Sequence, residues 1–372
     1  MAEARAVRRV TVLALALAAT ACAPVRPLPP TADHAPTVTL PLGLSGVADE
    51  RRAFAAVFER ELRAEGRAAS AAPWLHGPAP ASDGRMEGLS ARFSARAGGV
   101  SVLILPGLFG DCFDTQSVPY GDGQVRSREH SLTEAYRQYA DLGLLGLRAL
   151  SLPGRVSSAA NAPRVAAALQ AEAARPEVQR IVILAYSKGV PDALRALAHL
   201  QHLQGIPAKV TDLVSVAGPV MGTALADQAE RAYSAISPRV SPFDCSPSEG
   251  QELASLTRRE SVAWFEHNPL PPGLRYHSVV AHVARQDVGP GLRAFHAFLS
   301  TFDGRNDGQV MASDAVIPGS TLLAEARADH WDVALPRDRH PDAWMRSLSS
   351  GRAYPREALF RAMLKWVIAN GH

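Results

Sequence analysis

The sequence predicts an α/β protein with a mostly parallel central sheet flanked by helices, and three observations carry that prediction. Apolar runs alternate along the body with amphipathic stretches, the pattern that successive strand–helix–strand units produce. Two of the runs, 100–105 and 180–185, are short and almost wholly apolar or β-branched, and each ends in turn residues. The 372 residues are 47% hydrophobic and 20% charged, enough to bury a sizeable core, which excludes collagen, coiled-coil and acidic-tail readings. The length alone allows two or three domains or one large one. A net charge of +3 with no concentrated Lys/Arg patch gives no sign of a nucleic-acid partner.

Residues 1–22 read as a secretory signal. Arg5, Arg8 and Arg9 form the charged start, Val10 to Ala18 the apolar stretch, and Ala19-Thr20-Ala21 the small-residue cleavage site. The stretch is too short to span a membrane. Cys22 follows directly, and the segment resembles a bacterial lipoprotein lipobox, with Ala19 where Leu is most common. The resemblance implies diacylation of Cys22, and Ala23, not being Asp, favours the outer membrane of the cell envelope. Ordinary cleavage after Ala21, giving a periplasmic or secreted protein, is the competing reading. Residues 23–46 carry Pro24, Pro27, Pro29, Pro30, Pro36 and Pro41 and read as a semi-extended tether. Cys112 and Cys245 remain in a compartment that permits disulfides, and either a bridge between them or two buried thiols fits.

The folded domain is expected over 47–372. A helix is predicted at 48–65, a loop around 73–84 and the buried strand at 100–105. A helix at 131–142, a strand at 147–152 and a helix at 161–174 come next. The strand 180–185 enters a sharp turn and then a helix at 191–203. Further strands are expected at 211–216 and 276–283, and a closing helix near 357–369. Residues 228–273 interrupt the rhythm, being Pro- and Ser-rich between two core strands, and read as an inserted lid or cap over a pocket.

The chemistry begins in that sharp turn. Ala185-Tyr186-Ser187-Lys188-Gly189 joins an apolar strand to a helix and needs small residues at 185 and 189, where strand and helix approach closely. The segment resembles the nucleophile elbow of α/β-hydrolases, with Ala for the first Gly. A nucleophilic serine needs a base and a group that orients the base, which in that fold follow in the order Ser, acid, His. Asn306-Asp307-Gly308-Gln309-Val310 and Ala328-Asp329-His330-Trp331 resemble the acid and histidine segments of bacterial lipases. Ser187, Asp307 and His330 are therefore the expected catalytic residues, with Asp303 and Asp287 as reserve acids and His296, His282 and His277 as reserve bases. The loop Leu105-Pro106-Gly107-Leu108-Phe109-Gly110 is similar to the His-Gly-x-x-Gly oxyanion loop, with Pro106 replacing His. By position it implies the amides of Leu108 and Lys188 as oxyanion donors. The Lys188 side chain itself reads as solvated surface.

Residues 217–227 also resemble the run that follows the elbow in bacterial lipases. The matches span most of 100–335 in order, nearest the bacterial lipase and esterase branch of the α/β-hydrolase superfamily, and leave residues 1–90 outside. The resemblance implies a serine carboxylester hydrolase acting through an acyl-enzyme on a hydrophobic or lipidic ester. A thioesterase or acyltransferase using the same three residues is the alternative, as is a non-catalytic envelope lipoprotein that keeps the fold as a binding scaffold. No metal or other cofactor is expected, since Asp332, placed like a calcium-binding Asp in one lipase branch, is a single ligand.

Overall fold

The computed structural model describes residues 46–77, 79–80, 88–108, 139–236, 248–339 and 343–371. The signal peptide, nearly all of the tether, Cys22, Cys112 and Cys245 lie outside these residues. So does most of the helix expected at 131–142, whose described end, Ala140–Leu142, is one 3-10 turn.

Among the described residues eight strands form one sheet: β1 (Ala48–Asp49), β2 (Leu75–His76), β3 (Val100–Leu105), β4 (Gly146–Ala149), β5 (Arg180–Tyr186), β6 (Val210–Val216), β7 (Arg275–Ala281) and β8 (Thr321–Ala326). Their order is β1-β8-β7-β6-β5-β3-β4, all parallel, with β2 lying antiparallel beside β8. In register, Val102 lies opposite Val182 on β5 and Leu213 opposite Tyr276 on β7. Side chains alternate across a strand, and β3 divides accordingly. Val102 and Ile104 join one core cluster and Leu103 and Leu105 the other.

The first cluster is covered by α1 (Arg51–Ala64), α2 (Leu89–Ala97) and the last helix, through Phe54, Phe58, Leu62 and Leu364. The second lies under α3 (Ser158–Ala173) and α4 (Gly189–Leu203), which contribute Val165, Leu169, Leu194, Leu197 and Leu200. Each fully buried Leu or Phe contributes about 1.5–3 kcal/mol from its removal from water. The α3 helix starts where the Ser157 side chain accepts the Ala160 N–H at 3.1 Å.

One expectation shifts on contact with the structure. The helix expected from 48 starts at Arg51, because Ala48 and Glu50 donate their amides to Ser320, just before β8, and to Leu322 on β8, and so extend the sheet instead. Of the tract 228–273, residues 237–247 lie outside the described residues and the rest carries helices. Helix α5 (Ala224–Ile236) runs into it, and α6 (Arg258–His267), begun by the Thr257 side chain capping Glu260, lies within it. Trp264, Phe265, Leu270 and Leu274 then pack against the α3/α4 core. The remaining helices are α7 (Arg293–Leu299), the short α8 (Ala343–Ser347) and α9 (Arg356–Ala369).

Candidate active site

Ser187 sits where β5 turns into α4, with φ at +52°. For a residue with a Cβ this left-handed conformation is strained by about 1–3 kcal/mol and persists only where the surroundings impose it. Here the Ser187 amide donates to Val216 O at 3.0 Å and its carbonyl accepts from Val190 N at 2.9 Å. Gly189 is required by close approach, since a Cβ there would meet Leu105 O at 2.5 Å and Pro106 O at 2.7 Å. Ala217, at the end of the neighbouring strand β6, is the other non-glycine left-handed residue among the described ones, at φ +48°.

Asp307 lies in the turn after α7. Asn306, fully buried, shapes that turn by accepting the Gly308 N–H at 3.0 Å while its amide nitrogen donates to Ser300 Oγ and Asp303 O. The Asp307 carboxylate accepts Gln309 N at 2.8 Å and Val310 N at 2.7 Å on Oδ1. Its Oδ2 faces His330 Nδ1 at 2.7 Å, and His330 Nε2 lies 2.8 Å from Ser187 Oγ. With Nδ1–H donating to the carboxylate, Nε2 is left as acceptor for the serine O–H. All three are nearly sealed from solvent, at 8%, 1% and 2% exposure for Ser187, Asp307 and His330.

The loop after β3 lies against the serine. A Cβ on Gly107 would stand 3.0 Å from Ser187 Cβ and 3.4 Å from its Oγ. Leu108 follows directly, and among the described residues neither its amide nor that of Lys188 donates to a protein acceptor. The Lys188 side chain is not solvated. It turns back into α4, where Nζ pairs with Asp192 at 2.8 and 2.9 Å, and Asn161 donates to the same carboxylate at 2.7 Å. Asp192 lies in the first turn of α4, where a carboxylate complements the helix dipole.

Two further acids, Asp329 and Asp332, lie beside His330. Asp329 accepts Gly289 N, Trp331 N and Asp332 N, yet burial still raises its proton affinity above the ordinary carboxyl range. Asp332 is pushed up to about 7 by burial and by Asp329, and it accepts the Ser350 hydroxyl.

The reserve residues are engaged elsewhere. His277 meets Asp212 at 3.1 Å, His282 meets Glu325 at 3.1 Å, and His296 meets Val283 O at 2.9 Å. Asp303 accepts Arg305 N, and Asp287 faces Arg352. Thr223, in the run 217–227 whose resemblance implies a Gly-Thr packed near the catalytic residues, donates its hydroxyl to Gln309 O at 2.5 Å beside the acid turn. Sequence reasoning missed Tyr186, whose hydroxyl donates to His330 O at 2.6 Å, and no sequence signal marks that contact because the partners are 144 positions apart.

No protein-family model and no curated protein matches this chain. Among solved structures it resembles a metagenomic carboxyl esterase at 29% identity and a TM-score of 0.73, over 89% of this chain and 96% of that one. A Bacillus licheniformis lipase matches at 18% identity and a TM-score of 0.48, over 72% of this chain and 92% of that one. A Staphylococcus hyicus lipase matches at 12% identity and a TM-score of 0.48, over 72% and 96%. The architecture shared with the esterase is the α/β-hydrolase fold. That likeness extends into residues before 90, which the sequence motifs leave out.

Proposed function

We propose that this protein is a serine carboxylester hydrolase that works through an acyl-enzyme on a hydrophobic ester. The observation that carries the reading is the unbroken hydrogen-bond chain from Ser187 Oγ through the His330 ring to the Asp307 carboxylate, at 2.8 and 2.7 Å. The likeness to a carboxyl esterase supports the same reaction class. In this reading Ser187 Oγ attacks the ester carbonyl as its proton passes to His330 Nε2. Asp307 holds the ring tautomer and stabilises the imidazolium. The amides of Leu108 and Lys188 take the negative charge of the tetrahedral oxygen, a contribution of about 2.7–4 kcal/mol per donor. The proton on Nε2 then goes to the leaving alcohol, and water attacks the acyl-Ser187 by the same route in reverse.

The lipobox-like segment ending at Cys22 supports a further reading, that the enzyme is lipid-anchored at the cell envelope and meets its substrate there. The chemistry is tested with protein lacking residues 1–22, as wild type and as Ser187→Ala. A fluorophosphonate probe and p-nitrophenyl esters of graded chain length are the substrates. Labelling and turnover in the wild type that vanish in the variant are expected. Turnover that survives Ser187→Ala would remove the serine mechanism.

A further inference from the structure

Tyr186 immediately precedes the nucleophile, is buried, and points its hydroxyl to the backbone carbonyl of His330 at 2.6 Å. That carbonyl is left over by its own loop. The turn after β8 runs from Val333 N to Asp329 O and from the amides of Ala334 and Leu335 to Trp331 O, so no amide of the turn serves His330 O. On the other side of the same residue the His330 amide donates to Asp307 O at 2.8 Å. The backbone that carries the base is therefore held at its N–H by the acid's residue and at its C=O by the nucleophile's neighbour.

We infer that Tyr186 is a positioning residue, fixing His330 so that Nε2 stays within reach of Ser187 Oγ. The inference rests on the hydrolase reading above and deepens it. A closed loop of contacts makes the argument. Ser187 is bonded to Tyr186, the Tyr186 hydroxyl fixes His330 O, and the His330 ring returns to Ser187 Oγ at 2.8 Å. The two rings also lie against each other, with centroids 5.3 Å apart and planes inclined by 34°. The Tyr186 ring borders the loop after β3 as well, where a Cβ on Gly107 would lie 3.4 Å from Tyr186 Cδ1. A single side chain thus touches the elements that carry the nucleophile, the base and one expected oxyanion donor. Burial raises the phenol well above its ordinary proton affinity, so the hydroxyl keeps its proton and remains a donor.

A hydroxyl that did no more than satisfy a buried carbonyl would affect stability and leave the base where it is. The two roles part in kinetics. The experiment compares wild type, Tyr186→Phe, the protein with 4-aminophenylalanine at position 186, His330→Ala, and the double variant Tyr186→Phe/His330→Ala. Each is assayed for kcat and KM on p-nitrophenyl butyrate and for thermal unfolding. Tyr186→Phe should lower kcat by about tenfold to a hundredfold, the range that slight misplacement of a catalytic group produces. Its KM should stay within about twofold, because ground-state binding is not what the hydroxyl serves. The amine at position 186 keeps an N–H donor in the same place and should restore most of kcat. In the His330→Ala background the Tyr186→Phe change should have no further effect, since coupling through a shared partner is non-additive. An unchanged kcat in Tyr186→Phe, no recovery with the amine, or an equal loss with and without His330 would each overturn the positioning role. A wild type that turns over no ester, or a Ser187→Ala that still does, sinks the hydrolase reading instead and takes this inference with it.

Discussion

At the scale of single residues, the two oxygens of Asp307 have separate duties. Oδ1 is fixed by the Gln309 and Val310 amides, which leaves Oδ2 for His330 Nδ1. This division predicts the behaviour of Asp307→Asn. The two amide donors will hold the carboxamide oxygen at the Oδ1 position and so aim the NH2 group at Nδ1. That ring nitrogen must then accept, Nε2 carries the proton, and the ring can no longer take one from Ser187. We expect kcat to fall by about 10³–10⁴ with little change in thermal unfolding. Stopped assays of p-nitrophenyl ester turnover beside a melting curve check this, and a loss below tenfold would mean that the tautomer is set elsewhere. The three residues were legible in the sequence because each sits in a turn whose composition carries a chemical signature. The Asn-Asp-Gly run is one such turn, and its Asn306 closes the bend by accepting from Gly308. Tyr186 was not legible in the same way, since an elbow accepts almost any side chain there and its hydroxyl partner arrives from the distant turn after β8.

At the scale of elements, helix α4 and its buried ion pair explain why Lys188 was misread. A lysine at a helix N-cap is ordinarily solvated, but Asp192 one turn on and Asn161 from α3 build a closed polar contact beneath it. Both partners are almost fully buried, so the pair is costly to break singly. Lys188→Met should destabilise the protein by about 3–5 kcal/mol by leaving Asp192 charged against a single amide. The double change Lys188→Met/Asp192→Leu should recover a large part of that loss. Urea unfolding of the three proteins measures it, and a double variant no better than the single one would show that packing, not charge, dominates the site. Strand β8, buried at every position but its first, was not predicted because Thr, Ala and Glu dilute its apolar run, whereas β3 to β7 were legible. Strands β1 and β2 were not, because two-residue strands carry no periodicity and exist only where β8 offers an edge with open amides and carbonyls. The same holds for α6, whose described residues are mostly charged at its start and whose burial comes from Trp264 and Phe265 meeting the α3/α4 core.

For the molecule as a whole, the balance of buried titratable groups determines how stability varies with pH. Asp314, in the one-turn helix Ala312–Ala315, is pushed up to about 7 by burial, against the opposing pull of Arg258. Among the described residues one of its carboxyl oxygens faces Arg258 at 3.4 Å and the other has no hydrogen-bond partner. The folded state therefore holds a proton that the unfolded chain, with an ordinary carboxyl, has released. Where the native state binds more protons, stability falls as pH rises. For Asp314 that fall occupies the window from about 4 to about 7. His76 acts in the other direction. Burial, with the stacked His282 ring beside it, depresses His76 to about 4, so its contribution is present above the ordinary histidine range and lost as pH falls from about 6.5 to about 4. The two contribute opposing slopes across mildly acid pH, and the raised Asp332 adds to the slope of Asp314. Asp314→Asn keeps the shape and removes the ionisation, and is expected to raise the urea midpoint at pH 7.5 while leaving it nearly unchanged at pH 4. The difference between variant and wild type should grow steadily between those limits, and the pH of greatest stability should move upward because the His76 slope is then unopposed by Asp314. Unfolding curves at pH 4, 5.5 and 7.5 decide the matter. A variant that is less stable at pH 7.5 would mean that the Asp314 carboxylate is ionised and paired with Arg258 in the folded protein, reversing the sign of its contribution.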